Sequence, residues 1–302
     1  VNVCKKVQGV SAIGNVNRGF NSKIGVALGM GMKDSTCVGC GQCVIHCPVG
    51  ALVEKSNVGK LREALADKTK HVIIQTAPAV RATIGEEFGM PVGTLVTGKM
   101  VAALRRLGFD KIFDTDLGAD MTIMEEATEF IERLNKGKNL PMITSCSSGW
   151  ITFAEKFYPD LLNHLSSTKS PMEILGTLIK TYYAKKEGID PKDIYSVALM
   201  PCSAKKAEII RDELKLEGGI QAVDNVVTTR EMARMLKEAN IDLASLDDEE
   251  YDDPLGEATG AGHIFGTTGG VMEAALRSVS YILDGTEIKN VEFKQVRGTK
   301  GI

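Results

Sequence analysis

Four cysteines within eleven residues, Cys37, Cys40, Cys43 and Cys47 in CVGCGQCVIHCPVGAL, constrain this chain before any hydrophobic pattern does. Their spacing is C-x2-C-x2-C-x3-C-P. Three thiolates two residues apart can wrap three corners of a 4Fe-4S cubane, while the fourth, beside a proline, points elsewhere. Zinc sites favour paired C-x2-C units, which this run does not repeat. In two-cluster ferredoxin-like domains the fourth cysteine of each run ligates the other run's cluster. Here the partner run is represented by Cys4 in VNVCKK, so Cys4, Cys37, Cys40 and Cys43 are expected to hold one cluster. Cys47 is then left for a second cluster whose other ligands would lie upstream of Val1. The alternative, Cys47 closing a cluster with its own run, leaves Cys4 unexplained.

The remaining cysteines are Cys146 and Cys202, seven in all. An odd number, concentrated this way in 302 residues, does not suit a disulfide framework and points to metal binding in a reducing, cytoplasmic setting. A formal charge of -3 gives no basic footprint for nucleic acid, and no apolar run reaches membrane-span length. No signal peptide is visible at the start.

From about residue 56 strands and helices alternate. Strands are expected at Val72 to Gln75, KIFDTD, PMITS, IYSVALM and VDNVVTT. Helices are expected over VGTLVTGKMVAALRRLGF, GADMTIMEEATEFIERLNKG, Trp150 to Lys156, Pro171 to Lys186, KKAEIIRDEL, REMARMLKEAN and GGVMEAALRSVSYIL. The alternation argues an α/β fold with mostly parallel sheets flanked by helices, preceded by a small ferredoxin-like iron-sulfur domain. The division expected is 1–55 for the iron-sulfur domain and 56–302 for the rest. Chemistry in such folds gathers beyond the carboxyl ends of strands, which singles out TAPAVR, TSCSSGW and MPCSAKKAE. Glu126 and Glu129 lie three apart and share a helix face. His46, His71, His164 and His263 are scattered and form no site, and GTTGGVMEAALR lacks the lysine and glycine spacing of a phosphate loop.

The cysteine run followed by TAPAVR, ADMTIMEEATEF, TSCSSGW, MPCSAKKAE and GHIFGTTGGVMEAALR resembles the [FeFe]-hydrogenases of the monomeric clostridial type. The resemblance implies a two-lobed α/β catalytic domain holding an H-cluster: a 4Fe-4S cubane joined through a cysteine to a two-iron unit with CO, cyanide and azadithiolate. It implies reversible reduction of protons to hydrogen, with ferredoxin or a similar carrier supplying electrons and maturation proteins supplying the two-iron unit. It makes Cys202 a cubane ligand and Lys205 a hydrogen-bond donor to cyanide. Met200, Ala77 and Pro78 would line the pocket, and Cys146, Glu126, Ser166 and Glu129 would relay protons.

Two departures qualify the match. The family reads T-S-C-C-P-x-W, a relay cysteine followed by a ligand cysteine. Here Cys146 aligns with the relay and Ser147 with the ligand, so Cys146 is either relay or, with a one-residue shift, metal ligand. The second departure is that no cysteine follows Cys202 before the chain stops at FKQVRGTKGI, whereas the family's last two cubane cysteines come later. The resemblance therefore implies a piece of a longer hydrogenase with an incomplete H-cluster ligand set. The other class of function consistent with these residues is a non-catalytic relative acting in electron transfer, sensing or cluster assembly.

Overall fold

A computed structural model describes residues 1–253, 256, 258–267 and 269–288. The closing FKQVRGTKGI lies outside them. The first segment has little regular structure: a π-helical turn Val3–Val7, an antiparallel ribbon of β1 (Gly14–Val16) and β2 (Lys23–Gly25), and the one-turn α1 (Gln42–Ile45). Its small core is Val10, Ala12 and Val38, with Cys4, Cys37 and Cys40 packed against them.

The rest is built on a four-stranded, wholly parallel sheet. Its elements in order are α2 (Val58–Ala66), β3 (His71–Thr76), α3 (Thr97–Leu107), β4 (Lys111–Asp114), α4 (Asp116–Lys136), α5 (Ser148–Phe157), α6 (Pro171–Leu178), α7 (Ala184–Glu187), β5 (Ile194–Met200), α8 (Lys205–Glu208), β6 (Asn225–Thr228), α9 (Thr229–Glu238), α10 (Gly260–Phe265) and α11 (Gly270–Asp284). The strand order is β4-β3-β5-β6. β3 and β5 are central and buried nearly throughout, so Val72 to Ile74 and most of IYSVALM are apolar, and the polar Gln75 and Thr76 of β3 are buried with them. The pleat sends Val72 and Ile74 to one face, with Leu61, Met100, Leu104, Met232 and Leu236 from α2, α3 and α9. Ile73 and Phe113 go to the other face, with Leu117, Leu175 and Ile179. Each inward residue contributes about 1.5–3 kcal/mol by leaving water. α9 starts on a capping box in which Thr228 and Glu231 satisfy each other's backbone N–H groups.

The α/β architecture expected from the sequence is present, and three elements differ in detail. PMITS is not a sheet strand. It follows a cis Leu140-Pro141 bond and makes a single parallel bridge, Ile143 to Leu165, away from the sheet. KKAEIIRDEL forms only the one turn of α8 before Arg211 turns extended. The helix expected from Pro171 to Lys186 is interrupted by a π turn, Ile179–Tyr183, that carries Lys180 inward to the carbonyl of Pro191 at 3.1 Å and the carboxylate of Asp224 at 2.8 Å.

Candidate active site and cluster-binding segments

The sulfurs of Cys4, Cys37, Cys40 and Cys43 converge on one small cavity also lined by Gln8, Val10, Ala12, Met32 and Val38. Burial, then the neighbouring thiols of Cys37, Cys40 and Cys4, pushes the Cys43 thiol above its ordinary range. Mutual perturbation of that kind is the mark of sulfurs gathered around a shared centre. Cys4 Sγ accepts the Ala12 N–H at 3.2 Å and Cys37 Sγ accepts that of Gly39 at 3.4 Å, as thiolates holding a cluster do. No three His, Cys, Asp or Glu side chains among the described residues close to the distance of a single-ion site. A small cavity ringed by these four cysteines and apolar side chains, with N–H···S contacts to Cys4 and Cys37, fits a 4Fe-4S group. Cys47 stands apart from this cavity, its thiol lowered by the N–H groups of Leu52, Val49, Ala51 and Gly50.

The second group forms beyond the carboxyl ends of β3 and β5. Ala77 is fixed there by its N–H bond to Leu199 O at 3.0 Å; half-buried Pro78 follows, and buried Met200 ends β5. Cys202 and Lys205 lie on the turn that enters α8. Lys205 Nζ donates to the Cys146 carbonyl at 2.9 Å and to Glu208 Oε2 at 2.7 Å, so the MPCSAKKAE and TSCSSGW loops are tied directly. The Cys146 thiol is raised by burial. Its contact with Thr144 Oγ1 at 3.7 Å and the Lys205 charge pull the other way, and Glu126 and Glu208 add to the rise. Ser147 serves as the N-cap residue of α5 and is exposed.

A chain of groups leads away from Cys146. Segment 143–145 is laced to 164–168 by Ile143 N to His164 O at 2.8 Å, Ser166 N to Ile143 O at 2.7 Å and Ser145 Oγ to Thr168 O at 2.6 Å. Ser166 Oγ donates to Glu129 Oε2 at 3.1 Å and accepts the Thr168 N–H at 3.1 Å. Glu126 lies beside it at 1 % exposure; burial raises its carboxyl, Ser166 and the Ser145 N–H pull the other way, and the nearby Glu129 adds to the rise. Burial opposes the charge of Glu129 too. The Ser167 N–H at 3.0 Å and the Arg133 guanidinium at 2.5 Å outweigh it and hold this carboxyl below its usual range. Glu129 opens on a surface cleft of about 270 Å³ shared with Arg133 and Lys136.

The structure thus gathers Cys146, Glu126, Ser166, Glu129, Lys205, Cys202, Met200, Ala77 and Pro78 at one end of the sheet. Three residues there were not singled out from the sequence. Arg133, four residues after Glu129, donates also to the carbonyls of His164 and Leu165 and so fixes the loop that carries Ser166. Glu208 bonds Lys205 and Ser170, and Glu173 is a buried acid beside it. The i, i+4 spacing of Glu129 and Arg133 was the one legible signal. The histidines make local contacts only: His46 to Gln42 O, His164 to Pro141 O, His71 to Tyr183 OH, and His263 to Thr259 O and toward Asp116. A cleft of about 580 Å³ between Arg81, Asp114, Tyr251 and His263 contains none of the site residues. Beside it Asp116 is raised to about 6 by burial and by Asp114.

Comparison with known proteins gives the family. Residues 70–302 match the model of the iron-only hydrogenase large subunit, C-terminal domain, and residues 33–53 a 4Fe-4S binding domain. The chain is 50% identical to iron hydrogenase 1 of Clostridium pasteurianum over 100% of its own length and 52% of that protein's. It is also 50% identical to the NADP-reducing hydrogenase subunit HndD of Solidesulfovibrio fructosivorans, over 99% of this chain and 52% of that one. The chain therefore spans about half the length of these curated relatives. A cytosolic Fe-S cluster assembly factor of Xenopus tropicalis is 30% identical over 86% of the chain and 58% of its own. Among solved structures, an apo [FeFe]-hydrogenase HydA1 from Chlamydomonas reinhardtii superposes with a TM-score of 0.73 at 45% identity, covering 82% of this chain and 63% of that one.

Proposed function

The chain belongs to the iron-only hydrogenase family, and on that footing we propose that the protein it represents reversibly reduces protons to hydrogen with electrons delivered through 4Fe-4S clusters. The observation that carries the proposal is the run of groups Cys146, buried Glu126, Ser166 and Glu129 between the TSCSSGW loop and a surface cleft, with Ser166 bonded to Glu129. An electron carrier or assembly protein has no use for a buried proton route. In this reading residues 1–55 are the ferredoxin-like domain, with Cys4, Cys37, Cys40 and Cys43 on one cluster and Cys47 serving another. Residues 56–302 contribute to the catalytic domain.

The wall formed by Cys202, Met200, Ala77, Pro78 and Lys205 would hold the H-cluster from one side. When bound, that group supplies the two-iron unit at which protons and electrons combine. Lys205 places an ammonium, oriented by Glu208, where an anionic ligand can accept a hydrogen bond. Cys146 is assigned as the relay thiol rather than a metal ligand, because it faces Glu126 and Lys205 while Ser147 takes the outward, helix-capping place. The proton alternates between Cys146 Sγ and the Glu126 carboxyl, then crosses the Ser166 hydroxyl to Glu129.

Ferredoxin is the proposed carrier, though one relative is named as NADP-reducing. Maturation proteins are proposed to install the two-iron unit. No described helix is long and apolar enough to cross a membrane. Cytoplasmic residence is part of the proposal, on the strength of seven unpaired thiols. A cluster-assembly role is the second reading, favoured by Ser147 at the ligand position and by the 30% identical assembly factors. Hydrogen evolution from reduced methyl viologen by the matured, full-length protein decides between them: a fully loaded protein with no hydrogen output would refute the enzymatic reading.

A further inference from the structure

The cysteine loop is fastened to the catalytic body by three bonds to the carbonyls of alternate residues. Lys156 Nζ, from α5, donates to Ser35 O at 2.6 Å and Cys37 O at 2.8 Å. Ser203 Oγ, beside Cys202, donates to Gly39 O at 2.8 Å. The two loops are in contact, and little room is left at Gly41. A Cβ on Gly41 would stand 2.8 Å from Ser203 Oγ, and one on Gly39 would stand 3.5 Å from the Ala204 Cα; both glycines also have positive φ. Phe153 and Phe157 of α5 press on the same loop from the side. Thus the backbone carrying Cys40 and the backbone carrying Cys202 are separated by one hydrogen bond, and the only ammonium bonded to a cluster-cysteine carbonyl of this loop, among the described residues, comes from the helix that begins in TSCSSGW.

We propose that Ser203 and Lys156 are the positioning residues for electron transfer between the two metal sites, Ser203 as the link between the Cys40 and Cys202 loops and Lys156 as the charge that sets the potential of the N-terminal cluster. The inference rests on the hydrogenase reading. One electron passes from the reduced N-terminal cluster to the catalytic cubane, and no bond is made or broken. Removing the Ser203 hydroxyl breaks the link and loosens the loop by the worth of one hydrogen bond. A cation held at Cys37 favours the reduced, more negative cluster, so its loss makes that cluster harder to reduce.

The test uses the full-length protein with its clusters installed, comparing Ser203→Ala with Ser203→Thr and Lys156→Met with Lys156→Arg. Flash photoreduction followed by infrared detection of the two-iron unit's CO bands reads the transfer rate, and EPR redox titration reads the potential. Ser203→Ala is expected to slow transfer by about fivefold, with both potentials unchanged and the threonine variant restoring the rate. Lys156→Met is expected to weaken reduction of the N-terminal cluster by about tenfold, about 59 mV for a one-electron couple, with arginine restoring it. Rates and potentials that do not move in clusters that load normally would overturn this inference alone. A parent protein that takes up neither cluster overturns both it and the functional reading.

Discussion

Glu173 offers a measurement that depends on the site's electrostatics and on nothing else. It sits in the first turn of α6 with 1 % exposure, and its Oε1 makes no hydrogen bond. Burial first, then the charge of Glu208, raises its carboxyl from 4.5 to about 7, against the pull of Lys169 and Lys205. A carboxyl raised on folding is held more tightly in its neutral form. Its stabilising contribution is therefore complete below about pH 4.5 and is lost as pH climbs through the folded value near 7. At roughly 1.4 kcal/mol per pH unit the whole loss is about 3 kcal/mol, of which about 2 accrues between pH 5.5 and 8.5. Glu173→Gln cannot ionise and escapes that loss. At about 2 °C per kcal/mol for a chain of this size, its melting temperature should gain on the parent by about 4 °C between those pH values. Anaerobic thermal scans by circular dichroism at half-unit pH steps would show it. An offset between variant and parent that is the same at pH 5.5 and 8.5 refutes the assignment of a buried, neutralisable Glu173.

Other consequences can be checked one substitution at a time. Glu126→Gln keeps the shape but cannot pass a proton, so hydrogen evolution should fall by about 10²–10⁴ with iron content unchanged; activity above half the parent's would remove Glu126 from the route. In Gly118→Ala the new methyl would stand 2.3 Å from Pro171 O, costing about 1–3 kcal/mol and lowering melting temperature and turnover together. Cys43→Ser should lose the iron and the EPR signal of the cluster at Cys4, Cys37 and Cys40, whereas Cys47→Ser should keep that cluster's signal, since its thiol lies outside that cavity. Ser147→Cys puts a soft thiolate at a position that is exposed at the start of α5, so cubane iron in the full-length protein should be lost to a chelator at the parent's rate; slower loss would show that position 147 faces the metal.

Much of this was legible because periodicity and buried surface coincide. HVIIQT and IYSVALM are apolar enough to be nothing but central strands, and α4 ends where Gly137 adopts φ 60°. PMITS misleads because its backbone pairs with the 164–168 loop instead of a sheet strand, a long-range partner that local spacing does not reveal. KKAEIIRDEL has helical spacing, but Lys205 and Glu208 turn inward to each other and the chain bends once that pair is made. The relay pair Glu126 and Glu129 could be placed on one face from spacing alone, whereas their different ionisation could not. That difference comes from Arg133, Ser166 and Ser167, two of which sit on another segment. Glu173 and Glu208 escaped notice because acidic residues at helix starts are ordinary on surfaces, and only the packing shows them to be inside.

The opening turn of α4 packs through Gly118 against Pro171, and Asp116, two residues earlier, meets Gly262 of α10, where a methyl would stand 2.6 Å from the Asp116 carbonyl. Such contacts work like a keyed shaft: they fix the helix's rotation about its own axis as well as its distance from its neighbours. The aim of the Glu126 and Glu129 side chains is thus written two turns upstream, in residues that touch neither a proton nor a metal. A relative could keep every relay residue and still misalign the route by gaining a single methyl group at the shaft.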